Sequence, residues 1–420
     1  MGPALAARPV DAAQYRRDHA ALSDAMRAGG PRLAWYAERT APYPLTIPER
    51  DVAVLERLYQ AITAGISATI EHYLHDPRLQ ETLALPPPFV ELLRRAARHP
   101  YRPGALRPDF LLDVDGVAKV CEVNARFPTN GFLCSYYTNQ VVEGLDHLAG
   151  RPARAVPGLR CTLDALASRF EPGPLVVVLD REGGTEIFLM IEELARRGIE
   201  ARTRTPAELR VERGRILDAT GPVEQFILEL ERDELLDLPL DLFDALAASP
   251  RTFNDVRTLI LGHDKRMLAV LGDRSVVTDL VAPSDADLLV AHVIPTFNAA
   301  DRRIADDVRT DPARWVLKRN SSGRGVDLLV GAACDPAQWR HAVAHEAHDR
   351  AAQHFVEQLV LTMPTLSADG ELVDQAVHVV GLLPGFDGRP FGPGLFRASA
   401  ESVINVAGDR GVLVPTMIAL

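Results

Sequence analysis

Apolar residues recur at helical spacing through the first hundred residues of the chain. They do so in PERDVAVLERLYQAITAGISATIEHYL (48–74) and in PPPFVELLRRAARHP (86–100). Apolar positions three and four residues apart lie on one face of a helix, so both stretches predict amphipathic helices, and residues 135–150 predict another. The sequence therefore predicts a helical N-terminal region.

A hairpin pattern follows between residues 107 and 124, where two extended apolar runs flank an Asp-Gly turn. Side chains alternate across a strand, so Glu122 and Asn124 face the same way, and Asp109 on the neighbouring strand can face them. Two carboxylates and an amide oxygen suit Mg²⁺, which takes a few protein oxygens and completes its shell with water and phosphate. The alternative is a charged hairpin at a sheet edge.

Residues 174–205 read as strand, helix and strand: PLVVVLD, GGTEIFLMIEELARRG and IEARTRT. This is a β-α-β pattern, and the loop Asp180–Thr185 lies at the carboxyl end of its first strand, where open α/β sheets bind ligands. Most such loops bind nothing, so the pattern alone is weak. The following residues, to about 236, predict more strands with turns at Gly214 and Gly221.

The remaining chain mixes both patterns. Residues 256–273 and 339–353 predict helices, residues 354–361 predict a strand, and the end alternates strands with glycine-rich loops. WVLKRNSSGRGVDLLVG (315–331) predicts a strand carrying Lys318, a Gly/Ser loop and a second strand. Such a loop can lie over phosphates, because glycine lets the backbone approach closely. The alternative is a surface hairpin with a solvated lysine.

Two common nucleotide motifs are absent from the sequence. No GK[ST] occurs anywhere, which excludes a Walker A loop, and no G-x-G-x-x-G follows the first strand of the β-α-β pattern, which argues against a dinucleotide site.

Composition narrows the classes of partner. The 420 residues are 47% hydrophobic and 25% charged, with a net charge of −11 and no basic patch, which argues against nucleic acid or an anionic membrane. No apolar run approaches the roughly 20 residues of a transmembrane helix, and the N-terminus has no signal-peptide pattern. The four cysteines form no C-x-x-C pair and predict reduced thiols, and hence a cytoplasmic protein.

Lysine is rare in this chain. The 46 basic residues include only Lys119, Lys265 and Lys318. GC-rich coding is a sufficient cause, but a retained lysine can also mark a position that needs a compact ammonium, which a planar guanidinium does not imitate.

Two of these segments together resemble ATP-grasp enzymes. The run D-F-x-x-D-x-x-G…E-V-N, from Asp109 to Asn124, is similar to their magnesium-binding strands. The run V-L-K and its glycine loop are similar to their phosphate-covering lysine strand. In most of these enzymes the lysine strand comes first. The reversed order here resembles the circularly permuted families, such as eukaryotic glutathione synthetase and bacterial glutathionylspermidine synthase.

The resemblance extends to three further segments. HDKRMLAVL is similar to the helix that carries the other nucleotide lysine, here Lys265. FVEQLVL is similar to the hinge strand beside adenine, here Glu357–Leu359, which includes Gln358. GLFRASAESVINVAGDRGVLVP is similar to the closing segment, whose arginine, here Arg397, meets the carboxylate substrate and whose glycine-bearing loop spans 406–411.

The resemblance implies an α/β (α+β) protein with the ATP-grasp fold in circularly permuted order, a Rossmann-like substrate domain and a helical N-terminal region. The expected domains are residues 1–155, which combine the helical region with the metal-binding hairpin, residues 156–254, which hold the β-α-β substrate domain, and residues 255–420, which bind nucleotide and carry the lid.

The implied activity is ATP-dependent ligation of a carboxylate to an amine through an acyl phosphate, with release of ADP and phosphate. The implied cofactors are ATP and Mg²⁺, the metal as two ions. Asp109, Glu122 and Asn124 would bind metal, and Arg397 and Arg126 would contact substrate. The residues implied for the nucleotide are Lys265, Lys318, Ser321, Ser322, Gly323, Gly325, Glu357, Gln358 and Leu359.

One position departs from the pattern. Ser322 stands where the permuted families usually carry a metal-binding glutamate, so the holding of the second metal is open, with Asn320, Asp327 or Asp109 as substitutes. The alternatives are a non-catalytic nucleotide-binding protein that kept the fold, or another ATP-dependent enzyme, a kinase or an adenylate-forming ligase. Expected partners are small carboxylates and amines, without nucleic acid or membrane, in a protein that forms a homodimer.

Two polar clusters have simpler interpretations. His341, His345 and His348 share a helical face but lack the H-E-x-x-H order, so we interpret them as a partly exposed face. Residues 230–244 are acidic and predict a solvated helix. The substrates are not named by the sequence, and we expect the loops Asp180–Thr185 and Gly385–Gly394 to set specificity.

Overall fold

The computed structural model describes residues 3–181, 186–321, 327–404, 406 and 411–420. These residues form a mixed α/β protein with several sheets, as the sequence predicts. No helix in the described ranges is long and apolar enough to cross a membrane. The circular permutation, the Rossmann-like character of the substrate domain and the domain boundaries stay predictions.

The α-helices are spread along the described residues, with the first five before residue 100. In chain order they are α1 (Ala12–Arg27), α2 (Ala34–Glu38), α3 (Glu49–His72), α4 (Pro77–Leu83), α5 (Pro87–Ala96), α6 (Phe132–Val142), α7 (Pro157–Arg160), α8 (Thr162–Ala167), α9 (Ile187–Arg196), α10 (Leu240–Ala248), α11 (Met267–Gly272), α12 (Arg274–Val277), α13 (Pro283–His292), α14 (Ala305–Thr310) and α15 (Pro336–His345).

The strands are mostly short. In chain order they are β1 (Ala4–Leu5), β2 (Leu45–Pro48), β3 (Ala105–Leu112), β4 (Ala118–Asn124), β5 (Ala153–Ala155), β6 (Gly173–Leu179), β7 (Ile199–Arg204), β8 (Arg210–Glu212), β9 (Arg215–Asp218), β10 (Gly221–Val223), β11 (Gln225–Glu229), β12 (Thr252–Phe253), β13 (Thr296–Asn298), β14 (Trp315–Arg319), β15 (Leu329–Val330), β16 (Arg350–His354), β17 (Leu361–Leu366), β18 (Leu372–Leu382), β19 (Gly385–Phe386), β20 (Arg389–Pro390), β21 (Phe396–Ser399), β22 (Val412–Val414) and β23 (Thr416–Ala419).

The predicted helices 48–74 and 86–100 are confirmed as α3 and α5. Helix α3 begins after Pro48, carries Glu49 and Asp51 in its first turn, where the helix dipole favours acids, and buries one apolar face. Gly65 on that face lets α11 approach closely, because a Cβ there would lie 2.5 Å from Leu271 Cδ2. The third predicted helix, 135–150, is found as α6, which begins and ends earlier.

Two antiparallel sheets form the centre of the molecule. An eight-stranded sheet has the order β20-β19-β3-β18-β21-β22, with β17 beside β18 and β4 beside β3. A four-stranded sheet has the order β13-β16-β14-β15 and a small core of its own, which includes Trp315 and Trp339. The hairpin predicted over 107–124 is confirmed as β3 and β4.

A parallel four-stranded sheet of order β12-β11-β6-β7 holds the predicted β-α-β unit, with α9 joining the parallel strands β6 and β7. Its central strand β6 is buried from Leu175 to Val178, as the apolar run in the sequence predicts. Of the loop Asp180–Thr185, residues 182–185 lie outside the described residues.

The predicted helix over 256–273 is wrong as a continuous element. Residues Thr258–Gly262 form a π-helical turn and α11 begins only at Met267. Between them the backbone N–H of Lys265 donates to Asn320 O at 2.9 Å instead of to a helical carbonyl. A tertiary hydrogen bond thus overrides local helix propensity and leaves Lys265 in a turn.

The boundary near residue 350 also differs from the prediction. The helix predicted to residue 353 ends at His345, and Arg350–His354 form β16, because Arg350 and Gln353 are buried in the sheet. The predicted strand 354–361 is a crossing between the two antiparallel sheets. Its apolar residues are at least partly solvated, with Val360 51% exposed, and Leu359 N donates to Leu112 O at 2.9 Å.

The acidic stretch 230–244 is not a solvated helix. Residues Arg232–Leu236 form a 3₁₀ turn and α10 begins at Leu240, with Glu234 and Phe243 buried. The carboxylate of Glu234 is buried because it accepts hydrogen bonds from Glu231 N and Arg181 N, which satisfy it away from water.

Candidate functional site

The β3–β4 hairpin forms one side of the site. Its register pairs Asp109 with Glu122 and Arg107 with Asn124. Directly opposed residues and residues two apart on a strand share a face, so these four side chains lie together. The predicted clustering of Asp109, Glu122 and Asn124 is confirmed by Asn124 Nδ2, which donates to Asp109 Oδ2 at 3.1 Å and to Glu122 Oε1 at 3.0 Å.

A β-bulge at Cys121 connects this hairpin to the four-stranded sheet. The register shifts there, because Asp109 pairs with Glu122 while Phe110 pairs with Val120. The Cys121 carbonyl accepts hydrogen bonds from Lys318 Nζ at 2.9 Å and from Gln353 Nε2 at 3.2 Å. Lys318 on β14 therefore contacts the β3–β4 hairpin, although it lies 196 residues after Glu122 in the sequence.

Asp109 is fully buried and surrounded by donors. Arg107 donates from Nε to Oδ1 at 2.8 Å and from Nη2 to Oδ2 at 3.0 Å, and Arg397 Nη2 donates to Oδ2 at 2.6 Å. A buried carboxylate is costly unless it is paired and hydrogen-bonded, and this one is both. Protein donors therefore engage both oxygens of Asp109.

Glu122 has a different environment, since it borders a cavity and bonds a lysine. Lys265 Nζ lies 2.7 Å from Glu122 Oε2. Burial alone would raise the pKa of Glu122, but the charges of Lys265, Lys318 and Arg397 outweigh burial and hold that pKa well below its usual range. Glu122 is therefore ionised throughout the physiological range of pH.

A cavity of about 780 Å³ opens beside these residues. Its lining includes Glu122, Asn124, Arg126, Lys318, Gln358 and Arg397 from the predicted set. Lys265 and Asp109 bond to lining residues from behind. Ligand pockets in proteins commonly measure about 300–1,000 Å³. The structure thus gathers residues from both ends of the sequence around one space large enough for a ligand.

One part of the cavity is apolar and lies between the two antiparallel sheets. It is lined by Leu111 and Val380 from the eight-stranded sheet, Val316 and Val330 from the four-stranded sheet, and Ile294. The crossing segment borders it through His354–Val356 and Gln358. Of the predicted hinge residues, Gln358 lines the cavity, while Glu357 and Leu359 are outside the described lining.

The charged part of the cavity is cationic, although the whole chain has a net charge of −11. Its described lining contains two acids, Glu122 and Glu186. The basic lining residues are Arg32, Arg107, Arg126, Lys318 and Arg397. A cleft with one dominant sign of charge concentrates ligands of the opposite sign, so this cavity favours anions.

Two arginines of the predicted substrate set border the cavity in different ways. Arg126 pairs with Glu231, with Nη1 2.5 Å from Oε1, and its guanidinium lies 4.4 Å from the Phe127 ring centroid. Arg397 bonds Asp109 through Nη2, while its Nε has no hydrogen-bond partner among the described residues. That Nε is buried, so Arg397 faces the cavity with other atoms of its side chain.

Three residues of the site were not predicted from the sequence. Arg107 could have been found, because it stands two residues before Asp109 and shares its face. Gln353 was assigned to a helix. Glu186 had no local signal: it is buried, and its carboxylate accepts hydrogen bonds from the backbone N–H groups of Gly131, Leu133 and Cys134 at the start of α6. Burial raises the pKa of Glu186.

Several predicted residues are not part of the described site. Ser322, Gly323 and Gly325 lie outside the described residues, and Ser321 contributes nothing to the described lining. The Gly385–Gly394 region forms β19 and β20, and none of its residues lines the cavity. His341 and His345 contact each other on α15, and the described residues contain no group of three metal-type side chains built from His, Cys, Asp or Glu.

This chain is similar in sequence to a protein family and to a named enzyme. The profile of a family described as the AnkG N-terminal domain matches residues 58–261. The ATP-grasp enzyme ankG of Aspergillus thermomutatus is 24% identical over 422 aligned residues, which cover 88% of this chain and 86% of that protein.

A crystal structure from Methylobacillus flagellatus KT, of a protein provisionally described as a gamma-glutamylcysteine synthetase, covers 85% of this chain and 88% of its own. Its identity is 10% and its TM-score is 0.40, and similarity this low supports no assignment. The sequence comparison has firmer content: this chain is similar, along most of its length, to an ATP-grasp enzyme.

Proposed function

We propose that the protein is an ATP-dependent carboxylate–amine ligase that forms an amide through an acyl phosphate and releases ADP and phosphate. The observation that supports this proposal most strongly is that Glu122 and Asn124 lie close to two lysines from separate segments, Lys265 and Lys318. The similarity to an ATP-grasp enzyme supports the same conclusion. The order of these segments along the chain supports a circularly permuted arrangement.

The nucleotide would lie between the two antiparallel sheets. The apolar part of the cavity, with Leu111, Ile294 and Val316, suits a flat base, and the crossing segment His354–Gln358 offers backbone groups at its edge. The phosphates would then extend toward the ammonium group of Lys318, which lines the cavity, with the charge of Lys265 behind Glu122. Phosphoryl transfer depends mainly on positioning and charge neutralisation, which these lysines supply.

The donor set also fits Mg²⁺. Glu122 offers an ionised carboxylate at the cavity and Asn124 an amide oxygen, and hard oxygens are the ligands that this ion prefers. When bound, the ion would neutralise charge on the phosphate oxygens. Asp109 would orient Asn124 and Arg397, and would reach the ion itself only after Arg397 released its Oδ2. Asn320, whose buried Oδ1 has no hydrogen-bond partner among the described residues, stays a candidate ligand for a second ion.

The chain's own residues then have distinct tasks. An oxygen of the acid substrate, held by Arg397 and Arg126, attacks the γ-phosphorus, and the bond to the β-phosphate oxygen breaks to release ADP. The amine nitrogen attacks the carbonyl carbon of the acyl phosphate, the carbon–oxygen bond to phosphate breaks, and the nitrogen loses a proton to phosphate or solvent. The positive charge of Arg397, which lines the cavity, would stabilise the oxyanion that develops on the carbonyl.

ADP release with pooled acids and amines, with and without hydroxylamine, tests this proposal. We expect ADP release that depends on one acid, with a hydroxamate trapped from the acyl phosphate. Lys318→Ala should lower the rate by about 100-fold or more, since removal of one transition-state donor typically costs that much. Lys119→Ala is the matched control, because Lys119 bonds Ala291 O and does not line the cavity.

The products separate the alternatives. AMP and pyrophosphate would overturn the ADP-forming mechanism, and a stable phosphoester would indicate a kinase. Binding of Mg·ATP without ADP release from any pool would favour a non-catalytic nucleotide-binding protein. An equal loss of rate in Lys119→Ala and Lys318→Ala would remove the role assigned to Lys318, so the control must retain a near-full rate. We also propose that the protein is cytoplasmic, binds small carboxylates and amines, and forms a homodimer.

A further inference from the structure

Three aromatic side chains that line the cavity form what we call the aromatic wall. It consists of Trp35 and Tyr36, both on α2, and Phe188 on α9. Trp35 is 39% exposed, whereas Trp315 and Trp339 are 1% and 2% exposed in the core of the four-stranded sheet. Of the three tryptophans in the chain, Trp35 is the one in the cavity lining, and the Arg39 guanidinium lies 4.5 Å from its ring centroid.

Contacts within the protein hold the wall in place. The Trp35 and Tyr36 rings meet edge to face, with centroids 4.9 Å apart, an arrangement that aromatic pairs prefer. The Arg32 guanidinium lies 4.8 Å from the centroid of Phe188, and its Nε donates to Glu192 on α9 at 2.8 Å. Arg32 thus ties the segment before α2 to α9, so that the wall is formed before a ligand arrives.

The cavity that the wall borders has both apolar and cationic lining residues. Cys134, Val406 and Leu413 belong to a small hydrophobic cluster that also lines the cavity. Arg126 and Arg397 lie in the same lining, next to the proposed metal residues. The cavity is therefore complementary to a molecule with an apolar ring at one end and a negative charge at the other.

We infer that the acid substrate carries an aromatic group, which packs on the aromatic wall while its carboxylate meets Arg397 and Arg126. This inference rests on the proposed function, which fixes the reacting carboxylate beside the nucleotide. A small acid fills the cationic end but leaves Trp35 and Phe188 in water, and so forgoes the burial of apolar surface that favours binding. An aromatic acid gains both interactions.

Binding of matched acids to the full chain, in the presence of Mg·ADP, tests the inference. The probes are 3-phenylpropionate and propionate, which share a carboxylate and differ by the ring. We expect 3-phenylpropionate to bind at least about tenfold more tightly in calorimetry and to change tryptophan emission, because Trp35 is the tryptophan at the cavity. Trp35→Ala should weaken 3-phenylpropionate by about tenfold and leave propionate unchanged, a typical loss for an aromatic contact.

Two variants keep the test independent of folding. Trp35→Phe should retain the affinity for 3-phenylpropionate within about threefold and abolish the emission change, since phenylalanine keeps the ring contact. Trp339→Phe, in a core distant from the cavity, should retain both signals. Equal binding of the two acids, or unchanged affinity in Trp35→Ala, would overturn the inference.

The result is also separable from the ligase proposal. Ring-selective binding that depends on Trp35, found without ADP release from any acid, would support the aromatic wall and count against the ligase. ADP release with small acids that Trp35→Ala leaves unchanged would support the ligase and overturn the wall.

Discussion

The base of the cavity around Asp109 and its rim around Glu122 form an instructive contrast. The two carboxylates are directly opposed on neighbouring strands, yet Asp109 is fully buried and held by two guanidinium groups and an amide, while Glu122 borders the cavity and is held mainly by Lys265. Cross-strand register brings both acids to one face, and their neighbours then give them different tasks. We therefore expect the base to stay fixed and the rim to exchange partners when a ligand binds.

The largest expected difference is in stability. Asp109→Asn removes the counter-charge of two arginines, of which Arg107 is 8% exposed, and breaking a buried ion pair costs about 3–5 kcal/mol of unfolding free energy. Denaturant unfolding measures this loss. Asp374→Asn is the control, because its pair with Arg8 is exposed and such pairs contribute at most about 1 kcal/mol. A loss below about 1 kcal/mol for Asp109→Asn would show that the base does not depend on this charge.

The rim should respond to pH in a defined direction. The pKa of Glu122 is depressed in the folded protein, so its contribution is fully present above the unfolded value of about 4.3 and is lost as pH falls through the lower folded value. The difference in unfolding free energy between the protein and Glu122→Gln should therefore be constant, at about 1.5–3 kcal/mol, from pH 7 to about pH 5. It should shrink only in stronger acid.

The pKa of Glu186 is shifted in the opposite direction to the pKa of Glu122. Burial raises its folded pKa, so ionisation of this carboxylate costs stability once pH rises above its unfolded value, whereas ionisation of Glu122 adds stability. Carboxylate titration by isotope-edited infrared spectroscopy separates the two residues. A Glu122 signal that titrates at or above the ordinary glutamate pKa would contradict the assigned role of Lys265 and Lys318.

Local and distant parts of the site differ in how well the sequence predicts them. Strand alternation is a local property, so the shared face of Asp109, Glu122 and Asn124 follows from spacing. The partners of Asp109 do not, because Arg397 is 288 residues away and arrives through the pairing of β18 with both β3 and β21. The local pattern of residues predicts which side chains of a strand share a face, but it does not predict which distant strand or side chain they contact.

The wrong predictions have the same origin. The apolar residues of 354–361 are also compatible with a chain that crosses between sheets, and only the tertiary contacts of Leu359 and Gln358 decide between a strand and a crossing. Residues 258–266 carry a helical pattern, but the backbone bond from Lys265 to Asn320 turns the chain there. Residue spacing does not predict which distant segments contact the hairpin. The resemblance to ATP-grasp enzymes does predict that Lys265 and Lys318 lie near it.

The smallest expected effect concerns the link between the two sheets. Gln353 Nε2 bonds both the Cys121 carbonyl and Thr296 Oγ1. Gln353→Leu should cost about 0.5–1.5 kcal/mol, the usual net value of a hydrogen bond, because Lys318 still serves the Cys121 carbonyl and Thr296 Oγ1 still donates to Ile294 O. Denaturant unfolding measures the cost, and Gln338→Leu, on the exposed face of α15, is the matched control. A loss above about 3 kcal/mol would mean that the bulge carbonyl holds the rim in place, and the contrast between a fixed base and an exchanging rim would then fail.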